Sequence, residues 1–203
     1  MIHFDFAASN LQVKSSAERG AAHTVPRAIP LAIYWIILMK RLHVLGGPGS
    51  GKTALAKIIC ELSGLPHIEL DHMAYADSDF FRPRCREDRL AAVKTYSSKE
   101  AWVAEGVYFS WIGRSLKYAD RIYHLTIDQV ERQRNIDAKL SLRFPERDER
   151  HARHLAMLSL SNSEYDALYK NRIEGFLKPV RDKLIIVHSM EDALKEFGTL
   201  RAN

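Results

Sequence analysis

The sequence predicts an α/β fold in which a parallel sheet is covered by helices on both faces. Three observations carry that prediction. A short β-type run, a glycine loop and an amphipathic helical run follow one another between Arg41 and Gly64. Further short apolar runs then alternate with helical stretches, as crossover connections between parallel strands require. The chain has 203 residues, enough for one such domain with a full core and short for two.

Each element can be justified in turn. "RLHVLG" from Arg41 is the first strand, and "TALAKIICELSG" repeats Leu55, Ile58, Ile59 and Leu62 at helical spacing until Gly64 ends the helix. Pro66 introduces "HIEL", a second short strand that finishes on the carboxylate of Asp71. "REDRLAAVKTY" places Leu90, Val93 and Tyr96 on adjoining helical turns. "AWVAEG" is the third strand, ending on Glu105 and Gly106; "DRIYHLTID" is the fourth, ending near Asp128; "KLIIVHS" is the fifth. Between the last two lies a charged, mostly helical insertion. Inside it "SNSE", residues 161–164, has capping-box form and starts an expected amphipathic helix through Tyr165, Leu168, Tyr169, Arg172, Ile173, Phe176, Leu177 and Val180. Ser189 with Asp192 repeats the capping pattern before "EDALKEF". Ligands of such a sheet gather at the carboxyl ends of its strands.

Residues 1–27 show no sustained period, and residues 28–39, "AIPLAIYWIILM", are apolar but interrupted by Pro30. That run is shorter than the roughly 20 apolar residues a membrane span needs, and no small-residue cleavage site follows it. Residues 1–38 are therefore expected to be an extension without a catalytic role. Either Met39 is the true translation start, or "PLAIYWIILM" packs on the domain as an added element. Cys60 and Cys85 form no C-x-x-C pair, so neither a disulfide framework nor a zinc knuckle is suggested, and a reducing cytoplasm is the expected compartment. The formal charge of +5 suits an anionic ligand without demanding nucleic acid. Nothing in the sequence speaks to oligomeric state.

The chemistry is concentrated in Gly46, Gly47, Pro48, Gly49, Ser50, Gly51, Lys52 and Thr53, which match G-x-x-x-x-G-K-[ST] between a predicted strand and a predicted helix. Ala54 continues the run into the helix. The glycines let successive backbone N–H groups face one anion, and the helix adds its positive end. Lys52 supplies a mobile charge for the β- and γ-phosphates, and the Thr53 hydroxyl suits Mg²⁺. No N-K-x-D guanine motif accompanies the loop.

"GGPGSGKTALA", "LPHIELDHMAY", "WVAEGVYFSW" and "LKYADRIYHLTID" together resemble the small adenylate-kinase-like P-loop proteins described as topology-modulation, or FlaR-related, proteins. The resemblance covers residues 40 to about 128, and "KLIIVHS" extends it. It implies a three-layer P-loop fold with a five-stranded parallel sheet in the order 2-3-1-4-5. It also implies a kinase-like domain over residues 39–203 with a helical lid over about 129–160. The implied activity is transfer of the γ-phosphoryl group of ATP, with Mg²⁺, to a small-molecule or nucleotide acceptor. Carried over by position, Asp71 orients the acceptor or takes its proton, its alternative being a helix cap. Glu105 stands where the pattern has the Asp of a D-G pair that holds Mg²⁺ through water; it keeps the charge on a side chain one methylene longer. Gly106 allows close approach of substrate, and Asp120, at the start of a strand, is structural. Lid arginines are sought beyond the fourth strand, with Arg132 and Arg134 first and Arg143 third, each also compatible with a solvated helix face. Arg114 occupies an acceptor-binding position, and Arg82, Arg84, Arg86 and Arg89 form a second basic group. His151 and His154 are expected on a helix surface. The alternative to a kinase is a nucleotide-binding regulatory P-loop ATPase with slow hydrolysis, associated with DNA as the family description suggests.

Overall fold

The computed structural model describes residues 39–77 and 80–202. Both readings of the N-terminal preamble concern residues 1–38, which lie outside the described ones. Strands β1 (Arg41–Gly46), β2 (His67–Glu69), β3 (Trp102–Gly106), β4 (Arg121–Leu125) and β5 (Leu184–Val187) form one sheet. All pairings are parallel and the order is β2-β3-β1-β4-β5, as the resemblance implied. The helices are α1 (Lys52–Ser63), α2 (Asp71–Ala74), α3 (Arg86–Ser97), α4 (Gly113–Tyr118), α5 (Gln129–Arg143), α6 (Glu149–Leu168), α7 (Glu174–Leu177) and α8 (Met190–Ala202).

The period of two in the strands divides the core into two layers. Leu42 and Val44 of β1, Val103 of β3 and Tyr123 and Leu125 of β4 pack with Leu55, Ala56 and Ile59 of α1 and Ala193 and Phe197 of α8. The intervening residues, Leu45, Trp102, Ala104 and Ile122, pack on the opposite face with Val93, Tyr96, Leu116, Ile173 and Leu177. Each such buried large apolar side chain is worth about 1.5–3 kcal/mol over an exposed one. The same alternation sends Glu105 toward α1 and two histidines, His43 and His124, to the other face. Asp120 accepts from the backbone N–H groups of Lys40 and Arg41 at 2.9 and 2.8 Å, tying the start of β4 to the start of β1. Its expected structural role stands.

Several local expectations change. The "SNSE" box starts no helix: α6 begins at Glu149, where Asp148 accepts from the His151 N–H at 3.0 Å, and it runs uninterrupted through Ser161. No Gly or Pro stands between Glu149 and Leu168 to stop it. Beyond Leu168 the chain makes a π-helical turn, Tyr169–Ile173, before α7 and a 3₁₀ segment, Lys178–Lys183. Leu62 and Leu90, placed by spacing on buried faces, are both exposed, because they sit at the flanks of their apolar stripes. His154 is buried rather than on the surface, packed against Phe81 and Phe144 with ring centroids at 4.8 and 5.0 Å. The fifth-strand loop behaves as expected, with Ser189 Oγ accepting from Asp192 N–H at 3.0 Å. Among the described residues no helix is long and apolar enough to cross a membrane.

Candidate active site

The loop from Gly46 to Gly51 turns at the carboxyl end of the central strand. Gly49 and Gly51 have φ of +73° and +88°, in the left-handed region that favours glycine. No side chain caps the first turn of α1, so its N–H groups are left facing the loop. Ser50 is buried and its hydroxyl has no hydrogen-bond partner among the described residues. An uncapped helix end and an orphaned buried hydroxyl within one glycine loop fit a bound phosphate, which would satisfy both. Pro48 is buried in the loop, whereas Ala54 is exposed and serves only to continue the helix.

Lys52 Nζ donates to the Gly47 carbonyl at 3.4 Å, folded back over the loop. Burial holds its ammonium below the ordinary lysine range, and the carboxylates of Glu105 and Asp71 pull the other way. Glu105 is 3% exposed and accepts from Thr53 Oγ1 at 3.0 Å. Burial pushes its carboxyl upward; Lys52 and the Thr53 hydroxyl oppose that, and Asp71 adds to it. These four side chains therefore form one electrostatic cluster drawn from the P-loop helix and the ends of β2 and β3. The oxygens of Thr53 and Glu105 are a hard-donor pair of the kind Mg²⁺ accepts. Among the described residues no cluster of three or more His, Cys, Asp or Glu could hold a metal by itself. Any cation here would thus lean on phosphate oxygens and water as well.

Asp71 is the first residue of α2 and does not cap it; its Oδ1 instead accepts from the Tyr108 hydroxyl at 2.8 Å. Gly106 is pressed between neighbours: a Cβ there would lie 3.0 Å from Leu70 Cβ and 3.1 Å from the Tyr108 ring. The glycine thus serves chain packing beside the site.

The arginines divide differently from the expectation. Arg132 is 2% exposed. Its guanidinium donates to Asn162 Oδ1 at 2.7 Å and the Ile127 carbonyl at 2.6 Å, and pairs with Asp166 at 3.0 Å. It also lies over the Tyr165 ring at 5.2 Å. A Cβ on Gly47 would come within 3.1 Å of Arg132 Nε, and one on Gly49 within 2.2 Å of the Arg132 carbonyl oxygen. Arg132 is therefore a buttress beneath the P-loop, its donors already engaged, and not a mobile lid cation. Arg134 lies on the exposed side of α5. Arg114 is exposed and lies over Tyr118 at 5.0 Å, and Arg143 lies over Phe80 and Phe144 at 6.0 and 5.1 Å. Arg89 lies over Trp111 at 5.9 Å, and Arg84 donates to the Tyr75 carbonyl at 3.0 Å.

Two further residues of α5 bear on the loop, Asn135 by contact and Lys139 by charge. Asn135 Nδ2 donates to the Gly49 carbonyl at 2.9 Å. Lys139, one turn further on, is close enough to Lys52 to depress its ammonium further. The signal was available: Asn135 and Lys139 share the helix face that sits beside Arg132, but an asparagine and a lysine do not stand out among nearby arginines.

No protein-family model matches the sequence, and no curated protein matches it. Among solved structures the chain is similar to a shikimate kinase from Acinetobacter baumannii in complex with shikimate. The TM-score is 0.51 and the identity 16%, over 83% of this chain and 96% of that one. The two chains share a fold. A shikimate kinase from Bacteroides thetaiotaomicron (TM-score 0.49, 16% identity, 80% of this chain and 97% of that one) is also found. So is a gluconokinase from Sinorhizobium meliloti 1021 (0.49, 16%, 80% and 93%). At 16% identity the likeness to the Acinetobacter baumannii enzyme concerns the fold alone.

Proposed function

We propose that the protein is an ATP-dependent phosphotransferase that moves the γ-phosphoryl group to a hydroxyl or phosphate oxygen of a small acceptor. The observation that carries this reading is the joining of Lys52, Thr53, Glu105 and Asp71 into one electrostatic cluster at the carboxyl ends of β1, β2 and β3. The loop N–H groups and Ser50 would receive the β-phosphate, and Lys52 would swing from the Gly47 carbonyl to the β- and γ-oxygens. Thr53 and Glu105 would hold Mg²⁺, directly and through water, and the ion supplies charge neutralisation when bound. Asp71 would orient the acceptor and accept its proton. The resemblance to topology-modulation proteins supports the adenylate-kinase-like class without naming an acceptor, and the solved neighbours support the kinase fold.

The test is purified protein with ATP and Mg²⁺ against nucleoside monophosphates, nucleosides, shikimate and sugar acids, read by product mass. Phosphorylation of one of these, lost in Lys52→Ala, is the expected result. Turnover unchanged in Lys52→Ala overturns the reading. Nucleotide binding with slow hydrolysis and no phosphorylated product assigns the protein to the regulatory ATPases instead. The saturation of Arg132 favours that second reading to the extent that it removes one cation from the transition state.

A further inference from the structure

We propose that Tyr108 is a positioning residue that fixes the rotamer of Asp71 and leaves one carboxylate oxygen open to the acceptor; this rests on the phosphotransferase reading. The placement follows from the sheet. In the parallel register of β2 and β3, Glu69 stands beside Glu105, and the Leu70 N–H continues the ladder to the Glu105 carbonyl at 3.0 Å. Asp71 lies two residues beyond the end of β2 and Tyr108 two residues beyond the end of β3. Both thus emerge side by side at the carboxyl edge, and the Tyr108 hydroxyl donates to Asp71 Oδ1 at 2.8 Å.

Three further features make this a directed contact. The Tyr108 ring is held by Trp111, with centroids 5.0 Å apart, and Gly106 lets it fold back closely enough that a Cβ there would touch it at 3.1 Å. Burial, the Asp71 carboxylate and the neighbouring Tyr75 hydroxyl all push the Tyr108 phenol upward, so the proton stays on Tyr108 and Asp71 Oδ1 must accept. Asp71 Oδ2 has no hydrogen-bond partner among the described residues. The Asp71 carboxylate that carries this oxygen acts electrostatically on both Lys52 and Glu105 and so belongs to the cluster around the P-loop.

In the step this serves, the acceptor oxygen forms a bond to the γ-phosphorus. The bond from that phosphorus to the β,γ-bridging oxygen breaks, ADP leaves with the electron pair, and the acceptor proton passes to Asp71 Oδ2. Tyr108 neither gains nor loses a proton; it keeps Oδ1 occupied so that the reacting oxygen is always the same one.

The experiment uses the full chain as wild type, Tyr108→Phe, Asp71→Asn and the double variant. Thermal unfolding comes first and needs no acceptor: the two single losses of stability are expected to overlap in the double variant, because both act on one hydrogen bond, Tyr108→Phe by deleting its donor and Asp71→Asn by removing the charge from its acceptor. Turnover of ATP is then followed with water alone and with adenosine monophosphate, shikimate and gluconate as probe acceptors. Asp71→Asn is expected to lower kcat about 100-fold and Tyr108→Phe about tenfold. The KM for ATP should stay within about twofold, and the double variant should be no slower than Asp71→Asn. Stability losses that simply add, or kcat of Tyr108→Phe equal to wild type, overturn the positioning role while leaving the phosphotransferase reading intact. No transfer from wild type to any probe or to water, with nucleotide still bound, overturns both.

Discussion

Thr53 Oγ1 and Glu105 Oε1 meet at 3.0 Å, joining the first turn of α1 to the end of β3. The contact exists because residues 103 and 105 share the sheet face that α1 covers, so a side chain two residues after Val103 must point at the P-loop helix. Glu105→Gln keeps the shape and removes the charge. It is expected to raise the Mg²⁺ concentration needed for half-maximal nucleotide binding about 10–100-fold. Titration of a fluorescent nucleotide at stepped Mg²⁺ measures this, and an unchanged midpoint argues that Glu105 plays no part in holding metal.

Gly49→Ala tests how tightly the P-loop sits on α5. A Cβ there would lie 2.2 Å from the Arg132 carbonyl oxygen, a backbone atom that cannot turn aside, at a residue with φ of +73°. Gly64 has the same φ but open space around its Cβ position. Gly64→Ala is therefore expected to cost only the left-handed strain of about 1–2 kcal/mol. Gly49→Ala should cost more than that and abolish nucleotide binding as well. Urea unfolding of both variants, with nucleotide titration, separates the two terms.

The strand–loop–helix unit, the sheet members and the P-loop were legible in the sequence because each rests on local chemistry: β-type runs, left-handed glycines, a lysine and a hydroxyl at fixed offsets. The cluster of Asp71 and Glu105 was legible only through strand-end position, which a parallel sheet converts into proximity. The lid was not. Arg132 and Arg134 look alike in sequence, yet two residues on a helix turn through 200°, and one is buried against Asn162 and Asp166 while the other faces water. Their difference is set by α6, whose true start at Glu149 was hidden because Ser161 mimics a cap.

Arg132→Ala should consequently behave as a stability variant. It would leave the buried Asn162 Oδ1 and the Ile127 carbonyl unsatisfied, at about 1–3 kcal/mol each, while the more exposed Asp166 passes to water at little cost. Arg134→Ala, on the exposed side, is expected to stay within about 0.5 kcal/mol of wild type. Denaturant midpoints of the pair decide the point; equal midpoints would return Arg132 to the list of mobile cations.

Two histidines buried on the α4–α7 face make the fold sensitive to acid. Burial lowers His43 to about 3 and His124 to about 4, from 6.5. Each is neutral in the folded state, while the unfolded chain takes up protons below the ordinary histidine value. Stability contributed by His124 is thus fully present above 6.5 and is lost as pH falls toward 4. By linkage the full loss for His124 is about 3 kcal/mol. His124→Gln retains a partner for the Tyr165 hydroxyl, 3.0 Å away in the native side chain, but cannot titrate. Its urea stability should fall less steeply than wild type between those two pH values; parallel curves would show that His124 does not gate acid unfolding.

With Arg132 locked in place, α5 still offers Lys139 as a cation within electrostatic reach of Lys52. It follows Asn135 by one helical turn, Asn135 already touches the Gly49 carbonyl at 2.9 Å, and Lys139 is near enough to Lys52 to depress it. The like charge of Lys139 adds to the positive field at Lys52, a field that a bound phosphate would neutralise. Lys139→Met keeps the helix and most of the side-chain length while removing the charge. Charge developing on the transferring group would lose a stabilising partner, and kcat is expected to fall about 100-fold with smaller change in the KM for ATP. The same substitution relieves Lys52 of a like charge, so the nucleotide-free protein should lose no stability. A variant that is less stable but equally fast would identify Lys139 as a structural residue and leave the transition state to the exposed arginines of α5 and α6.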